Sequence, residues 1–192
     1  SVLVCRKRSS APDTSWAFGE RGYSAEDGDR FVWWSVHVGT FGDELRVGFT
    51  NDRDELLNGR RAAMTYNERC VWLYSDGSTV CGVHAAGRPA ADCFRCRRFG
   101  PGDTVTVRLD FEADEASWFV NLHERPGGGT HVFTLRGLPE GRLFPTVVLD
   151  ERGDQVCLAP HVPAAQRRTA ETIIAFAAVV EALLADEQRR SG

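Results

Sequence analysis

Cys81-Gly82-Val83-His84 and Cys93-Phe94-Arg95-Cys96 are the residues best spaced for metal chemistry, two ligand pairs with eight residues between them. Zinc prefers four N or S ligands in a tetrahedron, and a two-residue spacing lets one turn supply two of them. Equally compatible with the pattern is a strand-packed Cys81 beside two free thiols at Cys93 and Cys96. The same loop carries Arg88, Arg95, Arg97 and Arg98, flanked by Phe94 and Phe99. Guanidinium forks beside aromatic faces suit phosphate or RNA bases. The plainer reading is a solvated loop whose arginines answer the 27 acidic residues. For catalysis the signature is poor. The chain has no nucleophile elbow, no phosphate-cradling glycine loop and no His-Glu helix motif. Gly127-Gly128-Gly129 follows Pro126 in a hairpin-like loop, and His37, His84, His123, His131 and His161 are dispersed. This chemistry points away from an enzyme and implies no cofactor.

The composition limits the function classes further. The 192 residues are 42% hydrophobic and 26% charged, ordinary for one globular domain. Lys7 is the only lysine, so 22 of 23 basic residues are arginine, yet the formal net charge is −4. An acidic balance argues against a protein whose main task is gripping nucleic-acid phosphates. No apolar run approaches bilayer-crossing length, so no membrane partner is expected. The opening apolar stretch is too short for a signal peptide. Without a secretory signal, the six cysteines read as reduced and the protein as intracellular, in the cytoplasm. A chain that starts at Ser1 is consistent with a domain excised from something longer.

The elements that must position these residues are mostly strands. Residues 1 to about 30 are polar and read as an arm or loop laying Trp16, Phe18 and Tyr23 onto a core formed later. Phe31 to Val38 is dense in aromatic and β-branched residues. Leu45 to Phe49 is a second short strand. Val71 to Tyr74 runs into Ser75-Asp76-Gly77-Ser78, a hairpin turn, with Thr79 to Val83 returning. Thr104 to Asp110 and Ala116 to Leu122 alternate with a period of two, as half-buried strands do. His131 to Leu135, Leu143 to Leu149 and Gln155 to Leu158 supply the rest. Trp33, Trp34, Trp72 and Trp118 lie inside these patterns and are expected in the core. The recurrence of strands and turns predicts an all-β, two-sheet antiparallel sandwich. After Pro163 the pattern changes. Ile173, Phe176, Ala177, Val180, Leu183 and Leu184 form one apolar helical stripe. It predicts a C-terminal helix that docks on the sandwich, or alternatively one that dimerises.

In this order the landmarks resemble a SPRY domain. Phe31-Val32-Trp33-Trp34-Ser35-Val36 resembles that family's early Tyr-Trp-Glu-Val strand, and Arg46-Val47-Gly48-Phe49 its Val-Gly-Val strand. Trp72-Leu73-Tyr74-Ser75-Asp76-Gly77 resembles its Trp-x-Tyr strand and Asp-Gly hairpin. Gly102-Asp103-Thr104-Val105 resembles its Gly-Asp-x-Val turn, and Leu109-Asp110 the Leu-Asp that ends the next strand. Ser117-Trp118-Phe119-Val120-Asn121 and Leu143-Phe144-Pro145-Thr146-Val147 resemble its Ser-Phe-x-x-Asn and Leu-Tyr-Pro-x-Val strands. Departures include Trp34-Ser35 for Trp-Glu and Cys157-Leu158-Ala159 for the usual Asn-Phe ending.

The resemblance implies a recognition module that binds a short peptide or protein surface through loops at one end of the sandwich. It also implies, for many relatives, a substrate-recognition role beside a ubiquitin-ligase partner. From the SOCS-box branch of the family, Tyr74 and Asp76 of the hairpin carry over as candidate peptide contacts. So do Asp150, Glu151, Arg152 and Gly153, which follow the Pro-x-Val strand where that branch has Val-Trp-Gly. That charge swap favours a basic or mixed-charge partner. Arg8, or Arg6, would stand for that branch's N-terminal arginine. The expected layout is a polar arm over residues 1–15, a SPRY-like sandwich over 16–162 and an amphipathic helix over 163–192. Two other classes stay open: RNA or phosphate binding through the 88–98 loop, and a structural domain self-associating through its tail helix.

Overall fold

A computed structural model of the chain describes residues 3–6, 15–51, 53–54, 70–76, 79–81, 98–122, 129–159 and 161–191. Among the described residues eleven strands run β1 (Leu3–Arg6), β2 (Ser15–Phe18), β3 (Phe31–Thr40), β4 (Leu45–Thr50), β5 (Cys70–Tyr74), β6 (Thr79–Cys81), β7 (Thr104–Asp110), β8 (Glu115–Val120), β9 (Thr130–Arg136), β10 (Phe144–Leu149) and β11 (Gln155–Ala159). A helix, α1 (Ala164–Ser191), follows the last of these strands. The strands form a six-stranded sheet, β1-β11-β3-β7-β8-β9, and a five-stranded sheet, β2-β10-β4-β5-β6. Every pairing is antiparallel. This is the two-layer sandwich with a C-terminal helix that the sequence predicts.

Period-two alternation decides which side chains enter the core. Trp34, Val36 and Val38 of β3 meet Leu45, Val47 and Phe49 of β4 and Val105, Val107 and Leu109 of β7, all buried. Trp118 of β8 bridges the two layers. Its ring stacks between Phe49 (centroids 5.6 Å apart) and Phe133 (4.3 Å). Its indole N–H donates to the Val47 carbonyl at 3.2 Å, satisfying the one polar atom such a side chain brings inside.

Two strands, β1 and β2, lie in the segment read from sequence as an arm or loop. β1 pairs with β11 and β2 with β10, each at a sheet edge. Both have four residues, too few for a clear alternation amid polar neighbours. β1 also places the thiols. Cys5 lies opposite Val156, and Cys157 opposite Val4. Adjacent strand residues face opposite sides, so the two cysteines point away from each other and are free. Burial, and secondarily Cys157, raise the Cys5 pKa, which keeps that thiol protonated and poorly reactive.

Trp33 is buried as expected, but on the outer face of the six-stranded sheet. There Trp33, Phe119 and Leu122 receive Val162 and Ala170, with Ile173 and Ile174 packed alongside. The chain enters α1 at Pro163, whose carbonyl accepts the first helical bond from Arg167 N at 3.0 Å. The predicted stripe is split by this geometry. Its first part docks, while Phe176 (70% exposed), Val180, Leu183 (65%) and Leu184 lie in solvent. At 1.5 Å per residue the 28-residue helix is about 42 Å long and outruns the sheet it packs on. Among the described residues no helix is long and apolar enough to cross a membrane.

Candidate peptide-binding site

β4 begins, and β5 and β10 end, at the same end of the five-stranded sheet. In the register Arg46 lies opposite Tyr74 on one side and Val148 on the other. Val47 and Leu73, one residue along, point into the core, so Arg46 and Tyr74 share the outer face. The Arg46 guanidinium lies 5.0 Å from the Tyr74 ring centroid, a cation–π contact. Its Nε donates to Glu44 and its Nη2 to Asp150 at 3.4 Å. One cation thus holds two carboxylates and one aromatic ring.

The electrostatics follow from that ratio. Burial raises the Glu44 pKa; Arg46 pulls it down and the charge of Asp150 pushes it up again, leaving it above the usual range. Burial works against the Arg46 cation, but the Glu44 hydrogen bond and the acidic groups around it raise its pKa overall. Counting Asp43, Asp76 and Glu151, five carboxylates stand at this end with Arg6, Arg46 and Arg152. The surface is acidic with an arginine embedded in it.

The turns around the site are pinned from beneath. Asp154, 1% exposed, accepts from Gly42 N at 3.0 Å and Glu151 N at 2.8 Å. Its carboxylate therefore ties the β3–β4 turn to the β10–β11 turn. Thr40 Oγ1 donates to the Gly153 carbonyl at 3.0 Å, and Gly153 takes φ +101°, a conformation that favours glycine. Leu45 N donates to Ser75 Oγ (3.2 Å) and Ser75 N to the Leu45 carbonyl (2.8 Å), fixing the end of β5 to the start of β4. Asp103 holds the next turn, accepting from Gly100 N at 2.8 Å and Asn121 Nδ2 at 2.6 Å.

Of the residues expected at the site, Tyr74 and Asp150 are brought together on Arg46. Glu151 is exposed and packs on the β3–β4 turn, where a side chain on Gly42 would collide with its carboxylate. Arg152 is exposed at the turn's tip and Asp76 at the start of the hairpin. Arg6 is exposed beside Gln155, at the same end of the sandwich. Arg8 lies outside the described residues, as do His84, Cys93, Cys96, Arg88, Arg95 and Arg97. Arg98 is described and exposed. Among the described residues no group of three or more His, Cys, Asp or Glu could hold a metal ion. Sequence reasoning missed Arg46, Glu44 and Asp154. Strand alternation places Arg46 outward between Leu45 and Val47, but its partners come from strands far apart in the chain.

No family model matches the sequence, and no curated protein matches it. The SPRY domain of human HERC1 matches with a TM-score of 0.55 at 13% identity, covering 84% of this chain and 89% of that one. The PSpry domain of TRIM65 matches with a TM-score of 0.51 at 13% identity, covering 77% and 70%. The chain has the SPRY fold.

Proposed function

We infer that this domain is a protein-interaction module that docks a short peptide or protein surface at the Arg46–Tyr74–Asp150 end of the sandwich. The observation that carries the reading is the convergence of Tyr74, Asp150 and Glu44 on one arginine, above turns fixed by the buried Asp154. Aromatic and arginine side chains on a pre-formed surface are the usual anchors of binding energy. The surplus of carboxylates selects a basic or mixed-charge partner, and Glu44 and Asp150 are placed to receive its cation. The fold shared with SPRY domains supports the same reading by analogy. A substrate-recognition part of a ubiquitin ligase, working in the cytoplasm, is the finer proposal and rests on that analogy.

Affinity capture with wild type and Tyr74→Ala, read by mass spectrometry at two salt concentrations, tests the site. Captured partners are expected to be depleted about 30-fold in the variant, the effect of losing about 2 kcal/mol at an anchor. The melting temperature is expected to fall by no more than a few degrees, because Tyr74 is only half-buried. Retention should fall with salt for a basic partner. An unchanged partner set on Tyr74→Ala would overturn the site.

Self-association is a second reading, favoured by the exposed Phe176, Val180, Leu183 and Leu184. Light scattering on wild type and on the Phe176→Glu, Leu183→Glu double variant decides it. Self-association predicts a dimer mass for wild type and a monomer mass for the variant, and equal masses exclude it. Ile173 is left untouched because it packs on the sandwich.

A further inference from the structure

At the opposite end of the sandwich a cavity of about 500 Å³ is ringed by Arg21, Arg53 and Arg142. Its architecture follows from an interrupted strand pairing. Gly19 N donates to the Pro145 carbonyl (2.8 Å), and Tyr23 and Leu143 exchange backbone bonds (3.0 and 2.8 Å). Between these points Glu20, Arg21 and Gly22 leave the ladder. Gly22 lies against the Phe144 ring, where a Cβ would come within 2.6 Å of it. Arg53, just beyond β4, donates from Nη1 to the Glu20 carbonyl (3.1 Å) and places its guanidinium 5.0 Å from the Phe144 ring centroid.

The three arginines are not equally neutralised. Arg21 is paired with Asp29 at 2.7 Å and Arg142 with Asp27 at 2.8 Å, each through one nitrogen. The Asp27 carboxylate is further stabilised by the Ser24 hydroxyl at 2.9 Å, so it stays charged and bound to its arginine. Arg53 has no carboxylate partner among the described residues, and its Nε is buried without a hydrogen-bond acceptor. That Nε is closed to a ligand as it is to water, so what Arg53 offers the cavity is its terminal nitrogens, with one Nη1 hydrogen already given to the Glu20 carbonyl. Each guanidinium carries five N–H donors in a planar fork, so Arg21 and Arg142 also keep donors in reserve.

We propose that this cavity binds a phosphate monoester, with Arg53 as the primary fork and Arg142 and Arg21 closing on the remaining oxygens. Asp29 and Asp27 offset Arg21 and Arg142, which leaves Arg53 as the guanidinium of the lining without a paired carboxylate among the described residues. A dianion with several acceptor oxygens matches the donors left over on several forks better than a single carboxylate does. The cavity lies at the far end from Tyr74, so the proposal stands or falls independently of the peptide site.

The test titrates the full chain with inorganic phosphate, O-phosphoserine and O-phosphotyrosine at constant ionic strength set with chloride, read by calorimetry. Saturable binding is expected, weakened about tenfold or more in Arg53→Gln and in Arg142→Gln. Arg136→Gln, which removes one charge from an exposed side chain elsewhere, is expected to leave it unchanged. Tighter binding of the amino-acid esters than of phosphate would assign the site to phosphorylated side chains, and equal binding to the free anion. If Arg53→Gln does not fold, the Arg142→Gln comparison decides. No saturable binding, or equal binding by wild type and the folded cavity variants, overturns the proposal.

Discussion

Gly48→Ala is expected to destabilise the domain severely. Gly48 sits in the middle of β4, with β10 on one side and β5 on the other. A Cβ built there would lie 1.8 Å from the Val71 carbonyl oxygen, 2.9 Å from its carbon and 3.2 Å from Trp72 Cα. These are backbone atoms of the neighbouring strand, so no rotamer change relieves the overlap. β4 and β5 would have to separate where Val47 pairs with Leu73 and Phe49 with Val71, all four fully buried. Ordinary overpacking costs about 1–3 kcal/mol, and a clash that splits a ladder exceeds that. A loss of about 4 kcal/mol or more is a large part of a domain's stability of about 5–15 kcal/mol. It corresponds to a fall in melting temperature of at least about 10 °C for a chain of this size. Circular dichroism melts of Gly48→Ala beside Gly100→Ala test it, since a Cβ at Gly100 meets nothing within 4 Å. Gly48→Ala melting within two or three degrees of wild type would refute the account.

That glycine shows why much of the fold was legible in the sequence. Arg46-Val47-Gly48-Phe49 reads as a strand by alternation, and the close approach of Val71 explains why its third residue has no side chain. The Gly102-Asp103-Thr104-Val105 turn is legible for a similar reason. Gly102 takes φ +90°, Asp103 accepts from Gly100 N and Asn121 Nδ2, and Asn121 Oδ1 accepts from Thr104 N at 2.9 Å. Two landmarks distant in sequence are thus one hydrogen-bonded unit. What escaped reading depends on partners that periodicity does not carry. β1 and β2 are edge strands that exist by pairing with β11 and β10. The apolar stripe of α1 is continuous in sequence, and only the extent of the sheet beneath it decides where docking stops. Tyr74 and Asp150 were reached by resemblance. The arginine that joins them was not, because nothing local distinguishes Arg46 from any outward-facing strand residue.

Removing Arg46 is expected to damage stability and recognition together, with a pH signature that separates its charge from its packing. In Arg46→Leu the stem survives, but Glu44 and Asp150 lose their shared cation and Tyr74 its cation–π partner. Burial already holds the Glu44 pKa above its ordinary value, with Arg46 pulling it down. Without Arg46 it rises further. A carboxylate whose folded pKa exceeds its unfolded one contributes stability that is fully present below the unfolded value and lost as pH rises through the folded value. The variant therefore loses more than wild type as pH rises. Partial exposure of the three charged groups limits the effect. Urea unfolding is expected to show a deficit of about 1 kcal/mol near pH 4, from lost contacts, growing to about 2 kcal/mol near pH 7. Arg46→Lys restores the charge without the fork and is expected to flatten this pH dependence while recovering only part of the binding. An equal deficit at both pH values would mean that Arg46 acts by packing alone. Partner capture by Arg46→Leu is expected to fall at least as far as by Tyr74→Ala, because the arginine positions both the ring and Asp150.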